Sequence, residues 1–199
     1  MTKSFELVAG HPALDFVNTL DWRFRESGPE EFLTNYSDLL RFAAQSALLT
    51  PEQARGLRRR TEDSALTQSL RSCLDLREAL AQIFYAVTDK VTPPVGAIVR
   101  LDQYLHTAQS NHRLRWNRSR FEFAWPQGEV DPNLPAWILA LSASDLLTAE
   151  AAQAIRACAN SECRWLFLDT SKNHTRRWCD MKICGNRMKA RRFKAQRRA

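Results

Sequence analysis

Four cysteines in two evenly spaced pairs constrain this chain more than any other feature. Cys158 and Cys163 enclose four residues, fifteen residues follow, and Cys179 and Cys184 again enclose four. Four thiolates at tetrahedral corners, about 2.3 Å from the ion, satisfy zinc. A pair this close reaches one ion when the chain turns sharply between its members. Asn160 and Ser161 favour such a turn in the first pair. Gly185 follows the second, where close backbone approach or a positive φ is expected.

Two disulfides are the competing reading. Nothing at the N-terminus reads as a signal peptide, and a reducing compartment favours metal over disulfide. Zn2+ ligated by Cys158, Cys163, Cys179 and Cys184 has no open position, so its expected role is structural. His174, inside the bridge, is expected to be a solvated loop residue. The fifth cysteine, Cys73, falls on an apolar helical stripe and reads as core.

The segment from Arg164 to Lys189 resembles the CGNR zinc-finger family, named for Cys184-Gly185-Asn186-Arg187. The match takes in all four cysteines and Asp169, Ser171, Arg176, Arg177, Trp178 and Lys189. Upstream, Gly10-His-Pro-Ala-Leu-Asp-Phe-Val-Asn-Thr19 resembles the opening of the ABATE domain, which commonly precedes that finger. The resemblance implies a bacterial transcription regulator with a C-terminal DNA-binding finger.

Charge is divided along the chain. Residues 155–199 hold 13 Lys/Arg against 3 Asp/Glu, whereas residues 1–154 hold 16 against 19. A basic end on a mildly acidic body argues for a polyanion partner at that end, namely DNA. The candidate contacts are Arg176, Arg177, Lys182, Arg187, Lys189, Arg191, Arg192, Lys194, Arg197 and Arg198. A solvated basic tail is the plain alternative. With 44% apolar residues the chain supports a packed core. No apolar run approaches the roughly 18 residues of a membrane span. A cytoplasmic protein, nucleoid-associated when on DNA, is expected.

Two modules are expected: a helical one over residues 1–153 and the finger over 154–199. Phe5–Val8 reads as a short strand and Gly10-His11-Pro12 as a turn into a helix. On that helix Leu14, Phe16, Val17 and Leu20 are expected in the core, with Asp15, Asn18 and Trp22 on another face. A helix spans 34–49, and Thr50-Pro51-Glu52-Gln53 opens another with a capping box. Arg58-Arg59-Arg60 reads as its solvated end. The longest helix, about 66–89, carries Leu70, Cys73, Leu76, Leu80, Ile83, Phe84 and Val87 at helical spacing. Pro93-Pro94 breaks it, and Val95, Ile98, Leu101 and Leu105 mark the next.

Residues 113–125 alternate apolar and polar, predicting a hairpin around Asn117–Ser119 with one face buried; a nucleic-acid platform is the other reading. A loop over 128–135 leads to an apolar helix at 136–147, with Thr148 capping a further turn. The finger is expected to be treble-clef-like, with strands at 154–157 and 164–168 and a helix from about Cys184. Trp165, Phe167 and Trp178 would form its small core, with Met188 and Phe193 packing inward. The fold class is therefore mainly α with a small β-hairpin (α+β), followed by the four-cysteine zinc finger.

His11, Asp15, Asn18 and Trp22 are candidates for a pocket holding a small-molecule effector. An acidic helical module on a basic reader suits effector sensing or homodimerisation. The rivals are an RNA-binding or protein-interaction finger, and an enzyme using His11 as base with Asp15. No nucleophile motif, phosphate loop or open metal triad supports an enzyme.

Overall fold

Helix α6 (Leu134–Thr148) is apolar around most of its circumference and lies at the centre of the helical body. A helix without a polar face must be covered on several sides. Here α1 (Pro12–Val17), α2 (Tyr36–Gln45), α4 (Asp63–Asp89) and α5 (Val95–Asn111) cover it. The computed structural model describes residues 4–59, 63–125 and 131–197. Arg60 and residues 128–130 of the expected loop at 128–135 lie outside the described residues, and α6 begins at Leu134, two residues before the expected start.

Most helices follow their sequence signals. α3 (Pro51–Arg58) opens with the full capping box: Gln53 N–H donates to Thr50 Oγ1, and Thr50 N–H donates to Gln53 Oε1. In α4 the expected stripe is buried from Leu70 to Phe84, Cys73 included, with Val87 half-buried. Burial pushes the Cys73 thiol up to about 12, consistent with an inert core residue.

Several expectations change. Phe5–Val8 joins no ladder among the described residues, and the Gln45 side chain takes the Phe5 backbone instead. Helix α1 ends at Val17, and Leu20 lies in a two-residue strand, β1 (Leu20–Asp21), paired with β2 (Glu30–Glu31). On α5, Val95 and Ile98 face solvent. Its core side is carried by Ala97, Leu101 and Ala108, two of them small enough for close helix approach. Thr148 starts no further α-turn: it is the last residue of α6, its hydroxyl bonds back to Ser144 O, and a 3-10 turn (Glu150–Ala154) follows.

The hairpin forms as expected, β3 (Arg113–Asn117) with β4 (Arg120–Ala124), turning at Arg118–Ser119. Its apolar face is not buried: Leu114, Trp116, Phe121 and Phe123 are all exposed. Among the described residues the helical body leaves this apolar face uncovered.

After the 3-10 turn come β5 (Ile155–Ala157) and β6 (Leu166–Leu168), antiparallel, then a π-turn at Met181–Gly185 and helix α7 (Asn186–Gln196). This end shares one continuous core with the helices. Leu168 N–H donates to Ala9 O at 2.8 Å, and Tyr85 Oη donates to Arg164 O at 3.2 Å. Gly10, at φ 77°, lets the chain pass close to Leu168.

Candidate metal centre and basic surface

Four buried sulfurs converge where the two knuckles meet. The Sγ atoms of Cys158, Cys163, Cys179 and Cys184 all lie within 4.8 Å of one another. Cys163 and Cys179 are 3.8 Å apart, and none of the four is in a disulfide. Sulfurs about 2.3 Å from a central ion at tetrahedral corners stand about 3.8 Å apart, so the spacing fits a metal. The donor set also fits: four soft ligands, with no fifth position for water. Four thiols this close together and this buried compete for protons. A cation among four thiolates removes that conflict.

Local bonds shape each knuckle. In the first, Asn160 is buried, its carbonyl accepts from Cys163 N and Arg164 N, and its amide reaches Cys184 Sγ at 3.7 Å. In the second, Asp180 Oδ1 accepts from Lys182 N at 2.6 Å and Ile183 N at 3.0 Å. Asp180 O accepts from Cys184 N and Gly185 N. The Asp180 cap was not singled out in the sequence; an Asp immediately after a ligand cysteine was its signal. Gly185 has no positive φ, and a Cβ there would meet only the flexible, exposed Met181 side chain, so neither expected reason for the glycine is present. The bridge is organised by Asp169, which accepts from Ser171 N, Ser171 Oγ and Arg176 N. The Ser171 hydroxyl holds this carboxyl below its usual range. His174 is exposed, with Nδ1 at 2.9 Å from Asp169 O.

The basic candidates divide into two sets. Arg176 is a strut. Its Nε donates to Trp178 O at 3.0 Å, Nη2 reaches Cys179 O and Val8 O, and the guanidinium lies 4.4 Å over the Phe167 ring. Arg187 turns toward the body, 4.5 Å over the Trp22 ring. The exposed set is Arg177, Lys182, Lys189, Arg191, Lys194 and Arg197. Arg191 pairs with Glu162 at 2.9 Å across the finger. Arg198 and the side chain of Arg192 lie outside the described residues. Of the expected finger core, Trp165 and Phe167 are buried and Trp178 is half-buried. Met188 is half-buried, but Phe193 faces solvent with Arg197 5.4 Å over its ring.

The four effector candidates do not line one cavity. His11 caps α1, its Nδ1 accepting from Ala13 N. Burial lowers its pKa. Asp15 Oδ1 accepts from Ala9 N at 3.0 Å, and burial raises its pKa to about 6. No side-chain hydrogen bond joins His11 to Asp15 among the described residues, so the base-and-orienter pair is not assembled. Asn18 is spent on Leu166. Trp22, at φ 50°, lies beyond the helix and stacks under Arg187. His11 instead opens onto a groove of about 1110 Å3 with Arg55, His112, Arg115, Trp125 and Asp145. None of the described helices is long and apolar enough to cross a membrane.

Comparison with known families finds two matches in the same order. A model described as a CGNR zinc finger matches residues 154–197. A model named ABATE, described as "putative stress-induced transcription regulator", matches residues 10–150. No curated protein matches the chain.

Proposed function

The chain belongs to the ABATE family and carries a CGNR zinc finger, and from that premise we propose that it is a transcription regulator that binds duplex DNA through the finger. The observation that carries this reading is the exposed cationic set around α7 on a finger fixed to an acidic body. Lys189 and Phe193 share one outward face of α7, and Arg197, just past the helix end, lies over the Phe193 ring. Arg177 and Lys182 extend the charge toward the second knuckle. Phosphates attract such a surface whatever the base sequence, and arginine also reads guanine in the major groove.

Zinc is the metal that best suits four cysteine sulfurs in this arrangement. Held by Cys158, Cys163, Cys179 and Cys184, it would fix both knuckles and supply no catalytic step. The helical module would sense a small-molecule effector, with the open groove beside His11 as the place to look. Such a protein would work in the cytoplasm and on the nucleoid.

The test is a titration of random-sequence duplex DNA, repeated at rising NaCl. The expected affinity falls steeply with salt, by a slope of roughly 0.9 for each phosphate contact. An affinity indifferent to salt would overturn the reading. Preference for structured or single-stranded RNA in competition would favour an RNA-binding finger, and no nucleic-acid binding at all would favour a protein-interaction finger.

A further inference from the structure

We infer that the β3–β4 hairpin is a self-association arm, whose exposed aromatic face packs against the same face of a second copy of this chain. Register puts the four large apolar side chains on one side. Leu114 pairs with Phe123 and Trp116 with Phe121, so the four form a two-by-two block. They are 61%, 67%, 57% and 66% exposed respectively. The other side carries Arg113, Arg115, Asn117, Arg120 and Glu122. That side is stitched together: Glu122 accepts from Asn117 at 3.0 Å and Arg115 at 3.4 Å. The base is fixed by His112 stacked on Trp125, 4.5 Å between centroids, and Trp125 stacked on Trp137 at 5.9 Å. The arm is thus anchored and braced, with its apolar block turned outward.

The separation of the faces selects the occupant. A single-stranded nucleic-acid platform combines stacking rings with cationic groups that follow the backbone of the same strand. Here the arginines project from the opposite side of the ribbon, away from the rings. A partner that buries rings and leaves arginines in water is a protein with an apolar surface. A second copy supplies one of matching size and composition. Two ribbons packed face to face about a two-fold axis make an isologous contact, with both arginine rows outward and unopposed. Aromatic side chains bury 150–250 Å2 each, so the exposed part of the block is on the order of 500 Å2. That is over half of the roughly 800 Å2 each partner gives to a stable interface, and the rim of the arm supplies the rest.

The measurement is the solution mass of the full-length, reduced, metal-containing protein in the absence of DNA, so failure of the DNA reading leaves it intact. The wild type is expected at twice 22.9 kDa. The double variant Trp116→Ser/Phe121→Ser is expected as a monomer with unchanged metal content and helical signal, its dimer weakened by at least ~100-fold. Val95→Ser, on the exposed end of α5, is expected to remain dimeric. A wild type that stays monomeric at the highest soluble concentration overturns the inference, as does a double variant that stays dimeric. A hairpin variant that instead loses binding to a single-stranded oligonucleotide, with mass unchanged, assigns the arm to nucleic acid and overturns it too.

Discussion

Asn18 hydrogen-bonds with both main-chain groups of Leu166: its amide donates to Leu166 O and its carbonyl accepts from Leu166 N, each at 2.9 Å. The side chain thus acts as a strand partner for β6, in a site closed to water. A buried main-chain group deprived of its partner costs about 1–3 kcal/mol. Asn18→Ala removes both bonds at once, and a loss of about 2–4 kcal/mol is expected, read by chemical denaturation. Asn18→Asp keeps the acceptor but sets an oxygen against Leu166 O, so it is expected to be no better than alanine at pH 8.

Metal removal tests the four-sulfur centre. Elemental analysis is expected to find one zinc per chain, and Cys184→Ser to find little or none. Structural zinc contributes roughly 10–16 kcal/mol of apparent binding energy in small fingers, a large share of what holds the two knuckles together even though β5 and β6 pack into the helical core. Chelation is therefore expected to free four thiols to a thiol reagent under native conditions. Cys73 is expected to react only in denaturant, because it is buried in α4 with its thiol pushed up to about 12.

Asp15 gives the chain a pH dependence of definite sign. Burial raises its carboxyl from 3.8 to about 6, outweighing the N–H bonds of Ala9 and Val8. A pKa raised on folding means the native state holds the proton more tightly than the unfolded chain. The contribution to stability is present below pH 3.8 and is lost as the pH rises to about 6. The loss is about 3 kcal/mol at 1.36 kcal/mol for each unit. Asp15→Asn retains an oxygen for Ala9 N and has no charge to bury. It is expected to be more stable than wild type at pH 8 and to flatten the profile between pH 4 and 6.

The sequence made the periodic and the covalent features legible. The capping box at Thr50, the stripe along α4 and the cysteine pairs each follow from local spacing, and each is present. What spacing does not reveal is where a side chain spends its hydrogen bonds over long separations. Asn18 and Leu166 are 148 residues apart. Arg77 is buried on Glu31, 46 residues away, with Nη2 to Oε2 at 2.6 Å, and nothing local marks it. The hairpin shows the opposite limit. Alternation predicted its strands correctly, but alternation states only that two faces differ. Whether the apolar one is covered depends on the rest of the fold, and here no described residue covers it.

Charge on the finger is expected to act according to where each group points. Lys189 and Lys194 are exposed and have no acidic partner among the described residues. Lys189→Gln/Lys194→Gln is expected to leave the unfolding free energy within about 1 kcal/mol of wild type. The salt slope of DNA binding is expected to fall by about 2, one for each lost phosphate contact.

Arg187 is expected to behave the other way, although it belongs to the same run of basic residues. Its guanidinium lies over Trp22, and Nη1 is buried there with no hydrogen-bond acceptor among the described residues. The ring face is what compensates the cation, at about 0.5–2 kcal/mol. Trp22→Leu leaves the charge facing an aliphatic surface, and Arg187→Ala leaves the indole uncovered, so both are expected to lower stability by about that amount. The double variant is expected to cost less than the two single losses together, since each removes the same contact. If Arg187 instead grips phosphate, Arg187→Ala would reduce the salt slope of DNA binding and Trp22→Leu would not. Melting curves and salt titrations on the three variants separate a strut between helix and body from a DNA contact.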